Sequence, residues 1–257
     1  MEITLFDKLA AKVCAQKPAF AAITGGGGKS SLLYGLGHEL AKSRRVLLTV
    51  TTKLRRPEAS ECRSLFLGPA TLCGQYFKAA DRASLFVGAA SEDRQNLKVN
   101  GFSPEELDLL AAEETERAAV LVECDGSRGL SMKYYESWEP PVPQSAPLLF
   151  TVAGIEALGK EASEDYIFRA PAFRSLHGLK TGALITAELF VDTLLHDQGP
   201  LKNAPAVAKK VLLLNKWELP ENAEKKKLLS LKPRLLERYD EVLCVSIKNN
   251  ILYSCED

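Results

Sequence analysis

The sequence predicts an α/β fold in which helices cover both faces of a mostly parallel central sheet, giving a three-layer sandwich. Three observations predict it. Short, continuously apolar runs recur along the chain, the mark of strands buried on both faces. Segments with helical spacing alternate with them. Between the first such run and the helix after it stands Thr24-Gly25-Gly26-Gly27-Gly28-Lys29-Ser30-Ser31, a glycine-rich turn from strand to helix.

Taken in order, Leu5 to Cys14 has the apolar spacing of an amphipathic helix, and Pro18 stops it. Phe20-Ala21-Ala22-Ile23 is a buried strand. After the glycines, Leu32, Leu33, Leu36 and Leu40 recur at helical spacing. Val46-Leu47-Leu48-Thr49-Val50 is a second buried strand, and Leu65-Phe66-Leu67 and Leu85-Phe86-Val87 are shorter ones. Ser103, Pro104 and Glu106 form a helix start: a cap, a first-turn proline and the acid of a capping box. Ala118–Val122 and Leu148–Val152 are further strands. Thr186 caps a helix that runs to about His196. Val211–Leu214 is a strand, Glu221 to Arg238 a charged helix interrupted by Pro233, and Val242–Val245 the last strand. No Gly/Ser/Pro-rich linker divides the chain, so residues 1–257 are read as one α/β domain.

Composition narrows the function classes. Lys+Arg and Asp+Glu are both 33, without the basic excess expected of a nucleic-acid binder. The local cluster Lys53, Arg55 and Arg56 follows a strand end, where it could assist phosphate binding or simply be a solvated loop. Three histidines, far apart in sequence, argue against a His-rich metal site. The six cysteines form no C-x-x-C pair. With no signal peptide and no apolar run long enough to span a bilayer, they are read as reduced thiols of a cytoplasmic protein that binds no membrane.

The glycine loop carries the chemistry. Its backbone N–H groups can turn inward as an anion nest, and the helix amino terminus adds partial positive charge. Gly25, Gly26, Gly27, Gly28, Lys29, Ser30 and Ser31 are therefore the expected phosphate ligands. The Lys29 ammonium is placed to neutralise the outer phosphates, and the Ser30 hydroxyl to ligate Mg²⁺. The usual phosphate loop has glycine where this chain has Ile23; the shorter form Gly-x-x-Gly-Lys-Ser resembles that of Mur-type ligases. The fold class is thus P-loop NTPase-like, with GTP or ATP and Mg²⁺ as the expected ligands.

Three strand ends supply the remaining candidates. The strand ending at Val122 runs into Glu123-Cys124-Asp125-Gly126-Ser127-Arg128-Gly129. Alternation puts Glu123 and Asp125 on one side, suited to hold Mg²⁺ or to orient an attacking water. Asp125 is preferred as the Mg²⁺-side acid, with Glu123 as the alternative; neutralising Asp125 is expected to relieve repulsion between the two. Thr51 and Thr52 end the second strand and offer hydroxyls to phosphate or Mg²⁺. Asn215-Lys216-Trp217-Glu218 resembles the Asn-Lys-x-Asp base-reading motif of GTPases, and Ser246-Ile247-Lys248 follows the last strand where GTPases place a second base contact.

These pieces together resemble the YqeC family, described as accessory proteins of selenium-dependent molybdenum hydroxylases. The resemblance rests on Gly25–Ser30, Thr49–Lys53, Glu123–Gly129, Lys133, Trp138-Glu139-Pro140-Pro141-Val142-Pro143, Leu158-Gly159-Lys160, Arg169 and Asn215-Lys216. Cys124, where the family often has a small residue, and Glu218, where GTPases have Asp, depart from the patterns. The three prolines imply a stiff, extended segment that could wall the site, meet a partner or merely cross the surface. The resemblance implies a Mg²⁺-dependent NTP hydrolase that assists maturation of a molybdenum hydroxylase, with that enzyme or its cofactor-maturation proteins as partners. Two readings stand beside it: a small-molecule kinase or ATP-dependent ligase, and a nucleotide-binding module without turnover.

Overall fold

The computed structural model describes residues 3–80, 83–112 and 118–255, and all counts below refer to these residues. The chain begins with α1 (Leu5–Cys14), β1 (Phe20–Gly25), α2 (Lys29–Ala41) and β2 (Arg45–Val50). There follow β3 (Lys53–Arg55), β4 (Ser64–Leu67), α3 (Ala70–Ala79), β5 (Ser84–Ala89), β6 (Ser91–Asp93), β7 (Lys98–Asn100) and α4 (Pro104–Ala112). The middle of the chain holds β8 (Ala118–Glu123), β9 (Met132–Lys133), β10 (Leu148–Gly154), β11 (Ile167–Phe168), α5 (Ala170–Leu176) and α6 (Ala187–Leu195). It closes with β12 (Lys209–Asn215), α7 (Asn222–Ser230), α8 (Lys232–Leu235), β13 (Glu241–Ser246) and β14 (Ile251–Tyr253).

Nine strands form one sheet in the order β14-β13-β12-β10-β1-β8-β2-β5-β4. Every neighbouring pair is parallel except β13 and β14. Both faces are covered, which is why the central strands are apolar throughout. Ala21 and Ile23 of β1 face a core shared with Leu5, Leu9 and Val13 of α1 and Leu32, Leu33 and Leu36 of α2. Phe20 and Ala22 face the opposite core, with Phe77 of α3, Leu107 of α4, Phe173 of α5, Phe190 of α6 and Leu228 of α7. Each large side chain so buried contributes about 1.5–3 kcal/mol. The fold is the α/β sandwich that the apolar runs predict, and each of those runs is a strand of this sheet.

Local signals placed several elements well. Ser103 and Glu106 exchange the two hydrogen bonds of a capping box, at 2.8 and 3.2 Å, and Thr186 caps α6 through the Leu189 N–H. The charged helix breaks at Leu231, with Pro233 in the first turn of the second piece. The short antiparallel sheet β3-β7-β6, the pair β9-β11, α3, α5 and the edge strand β14 had not been expected. That edge strand also corrects the reading of six reduced thiols. Running antiparallel to β13, it brings Cys255 to Cys244 at a Cα–Cα distance of 5.9 Å, and the two form a disulfide. Cys14, Cys62 and Cys124 are free thiols.

The parallel strands point their carboxyl ends to one edge of the sheet. On one side of β1 lie the ends of β10, β12 and β13; on the other lie β8 and β2. The candidate residues converge there.

Candidate functional site

The glycine turn leaves β1 and enters α2 under tight constraint. Gly25 has φ 98°, and a Cβ on it would stand 2.0 Å from the Val152 carbonyl oxygen. Gly28 has φ 144° and faces the Asn215 side chain; a Cβ there would lie 2.4 Å from Asn215 Nδ2. Neither position can take another residue without rearrangement. Gly28 is the N-cap of α2 and supplies no side-chain cap. The helix amino terminus is left to bind from outside, the arrangement that suits an anion.

Gly27, Gly28, Lys29, Ser30 and Ser31 line a cleft of ≈ 810 Å³, within the range of small-molecule sites. The same cleft is lined by Thr52, Glu123, Asn215, Lys216, Glu218 and Ser246. Gly25 and Gly26 face the space behind the loop instead, toward Ser131 and Val152. Thr51 is not on the cleft; its hydroxyl donates to the Cys124 carbonyl at 3.0 Å and braces the acidic loop.

Lys29 is 4% exposed. Its ammonium donates to the Gly25 carbonyl at 2.6 Å and to Ser127 Oγ at 3.2 Å. It lies 3.7 Å from Asp125 Oδ1 and 4.0 Å from Glu123 Oε1. The two acids thus share a side, as alternation requires, but their surroundings differ. Glu123 reaches the cleft and accepts from the Ser30 hydroxyl at 2.8 Å. Burial pushes its carboxyl above the ordinary range, only partly opposed by Lys29 and the Ser30 hydrogen bond. Asp125 is fully buried between Lys29 and Lys133, whose ammonium is 3.3 Å away.

Lys133 extends this cluster. Its ammonium donates to the Gly126 carbonyl at 2.9 Å, lies 3.1 Å from Glu139 Oε1, and stands over the Tyr135 ring at 4.7 Å. Glu139 also pairs with Arg169. Burial would raise the Glu139 carboxyl, but the Glu136 N–H, Lys133 and Arg169 together hold it below the usual range. Positive and negative groups therefore alternate from Lys29 through Asp125, Lys133 and Glu139 to Arg169. The stiff proline segment contributes Glu139 to the cleft wall while Trp138 stays exposed. Cys124 is fully buried, and burial pushes its thiol far up, which makes it a packing residue.

Across β1, Asn215 joins two loops. Its Nδ2 donates to the Gly27 carbonyl at 2.7 Å, and its Oδ1 accepts from the Ile247 N–H at 2.9 Å. Lys216 pairs with Glu156. Ser246 Oγ donates to Glu218 Oε1 at 2.9 Å and accepts from Asn249 Nδ2 at 2.9 Å. Of the basic cluster after β2, Arg55 pairs with Glu58 and Glu61 and Arg56 with Glu92, so only Lys53 reaches the cleft. Lys98, Arg128, Phe168, Leu219, Lys248 and Asn249 also line it. Arg128 and Lys248 stand in motifs that the sequence offers, whereas Lys98, Phe168, Leu219 and Asn249 do not, because the elements that bring them there carry no motif.

A glycine loop leaving a central parallel strand, an uncapped helix amino terminus, and a Lys-Ser pair meeting an acidic strand end define a P-loop NTPase-like α/β protein. No helix among the described residues is long and apolar enough to cross a membrane. The chain matches the family described as YqeC protein over residues 21–171. It is 32% identical over 209 residues to YqeC of Escherichia coli (strain K12), covering 81% of this chain and 80% of that protein. The chain belongs to the YqeC family. No solved structure matches it.

Proposed function

We propose that the cleft binds a nucleoside triphosphate with Mg²⁺ and hydrolyses it slowly, and that nucleotide state governs the protein's hold on a partner. The observation that carries this reading is the convergence of Lys29 and the open amino terminus of α2, the Ser30–Glu123 pair, and the Asn215–Glu218–Ser246 side in one cleft. Phosphates lie on the loop, and the base lies toward Asn215 and Glu218.

The donor set fits Mg²⁺. This ion is commonly held by one or two protein oxygens together with substrate phosphates. The hydrogen-bonded pair of Ser30 and Glu123 supplies such oxygens on the cleft wall, and among the described residues no larger cluster of metal-ligating side chains occurs. Between Glu123 and Asp125, the geometry favours Glu123 as the Mg²⁺-side acid, because Asp125 is enclosed by two lysines. Asp125 then holds the Lys29 ammonium in place. Bound Mg²⁺ would neutralise charge on the outer phosphates; Lys29 and the α2 N–H groups add to that, and Glu123 can orient water. The cellular setting proposed with it, maturation of a selenium-dependent molybdenum hydroxylase, is what the resemblance to the YqeC family implies.

The test is titration of the full chain with ATP and GTP in the presence of Mg²⁺, followed by phosphate release. Binding that Lys29→Met removes and slow release that Ser30→Ala removes are expected. Unchanged affinity in a folded Lys29→Met protein would sink the phosphate-loop reading. Release only with a small acceptor would favour a kinase or ligase.

A further inference from the structure

We propose that the cleft holds a second ligand subsite beside the terminal-phosphate end, which takes a small molecule bearing a phosphate or carboxylate group and holds it with Arg128, Lys98 and Lys53. This rests on the nucleotide reading of the other end of the cleft.

The first support is position. The residues read as facing the base follow β12 and β13, on one side of β1. The cleft continues past the loop to the other side, beyond Glu123 on β8 and Thr52 after β2, and there it is lined by Lys53, Lys98, Arg128 and Phe168. A nucleotide with its base toward Glu218 directs its outer phosphate toward these cations.

The second is charge. The cleft carboxylates near this end are already matched: Glu123 with Ser30 and Lys29, and Glu139 with Lys133 and Arg169. Lys53 has Asp93 at 3.4 Å. Among the described residues Arg128 and Lys98 pair with no carboxylate, although both line the cleft. The nucleotide's own charge is served by Lys29, the helix amino terminus and Mg²⁺. The remaining cations are surplus to it.

The third is that the arrangement is built. Arg128 is held at φ 52°, a conformation that is costly for a residue with a side chain and that clusters at ligand sites. Its guanidinium stacks over the Phe168 ring at 5.0 Å, and Arg169 lies over the same ring at 4.7 Å. A guanidinium resting against a ring face is restrained in position, and its forked N–H donors suit a bidentate oxyanion contact. The preceding residue, Ser127, is buried and accepts from Lys29 at 3.2 Å, which ties the position of Arg128 to the phosphate loop. On the small sheet, Leu54 opposes Val99 with both buried, so the flanking pairs Lys53–Asn100 and Arg55–Lys98 share the outward face.

The experiment titrates inorganic phosphate, and acetate in parallel, into the full chain saturated with Mg²⁺ and a non-hydrolysable triphosphate analogue. One saturable anion per chain is expected. Arg128→Gln should weaken it by about ten-fold or more, the loss expected for a charge-assisted contact, and Lys98→Gln by less, while analogue affinity stays within about two-fold. Whichever anion binds through Arg128 names the group recognised. Three results would overturn the proposal: no saturable binding, binding that neither variant alters, or an Arg128→Gln protein that loses triphosphate affinity but keeps diphosphate affinity. The last would assign the guanidinium to the nucleotide. If the parent binds no nucleotide, the reading of the loop fails separately. Phosphate titration of the Lys29→Met protein, with and without Arg128→Gln, then decides the subsite: dependence on Arg128 supports it, and independence overturns it.

Discussion

Replacing Asn215 by alanine tests how the two halves of the cleft are joined. The side chain is 3% exposed and makes two hydrogen bonds, to the Gly27 carbonyl at 2.7 Å and from the Ile247 N–H at 2.9 Å. Removing it leaves a carbonyl and an N–H without these partners. A buried polar group left unpaired costs about 1–3 kcal/mol. Gly27 and Ile247 border the cleft, so water can satisfy them in part. The expected loss is therefore about 2–4 kcal/mol in total. For a chain of this size each kcal/mol moves the melting temperature by about 2–4 °C, so Tm should fall by about 5–15 °C. Nucleotide affinity should fall for diphosphate and triphosphate alike, because the wall of the loop loosens before the terminal phosphate matters. Asn215→Asp is the control. It keeps the acceptor for Ile247 but sets a carboxylate against the Gly27 carbonyl, and should be no more stable than the alanine variant. Differential scanning fluorimetry with calorimetric titration reads both effects. An Asn215→Ala protein that melts with its parent would refute the reasoning.

Three further outcomes are expected. Asp125→Asn should lower stability by about 3 kcal/mol in chemical denaturation, because it strips the shared counter-charge from Lys29 and Lys133; the sequence-based expectation of relief from Glu123 would return if the variant were more stable. The Glu123 carboxyl is raised in the folded state, chiefly by burial, so the folded chain holds its proton to higher pH than the unfolded chain. Its contribution to stability is present at low pH and lost as pH rises through the raised value. Glu123→Gln should therefore stabilise the nucleotide-free protein at neutral pH, flatten that slope in melts from acid to neutral pH, and end Mg²⁺-dependent turnover; an unchanged slope would show that Glu123 is not the group responsible. GTP should bind more tightly than ATP, by about ten-fold or roughly 1.4 kcal/mol. A carboxylate at Glu218 can accept both guanine edge donors and opposes an adenine acceptor. One of its oxygens already accepts from Ser246, which limits the preference. Competition binding with Glu218→Ala should show the difference erased.

The strands and the glycine loop are legible in the chain because their causes are local. A strand buried on both faces must be apolar at each position, and a turn with φ 144° at Gly28 calls for glycine whatever surrounds it. The capping box at Ser103 and the cap at Thr186 are likewise complete within four residues. The strands β3, β6 and β7 were hidden because each has three residues, and those of β3 and β7 place charge or amide on the outward face and one apolar residue inside. Helix α3 has no side-chain cap and carries Gly74 in its middle. The surroundings of the acids were also out of reach. Spacing puts Glu123 and Asp125 on one side of a strand. Only packing decides that Glu123 meets Ser30, 93 residues away, while Lys133 closes over Asp125. The same holds for Lys29, which looks solvent-facing as a loop residue yet is 4% exposed, and for Asn215, whose partner Gly27 is 188 residues distant. Electrostatic surroundings are set by whichever side chains the sheet order brings within a few ångströms. That order joins β1 to β8 and β10, strands that stand far from it in the chain, so the tertiary structure alone assigns each charge its partner.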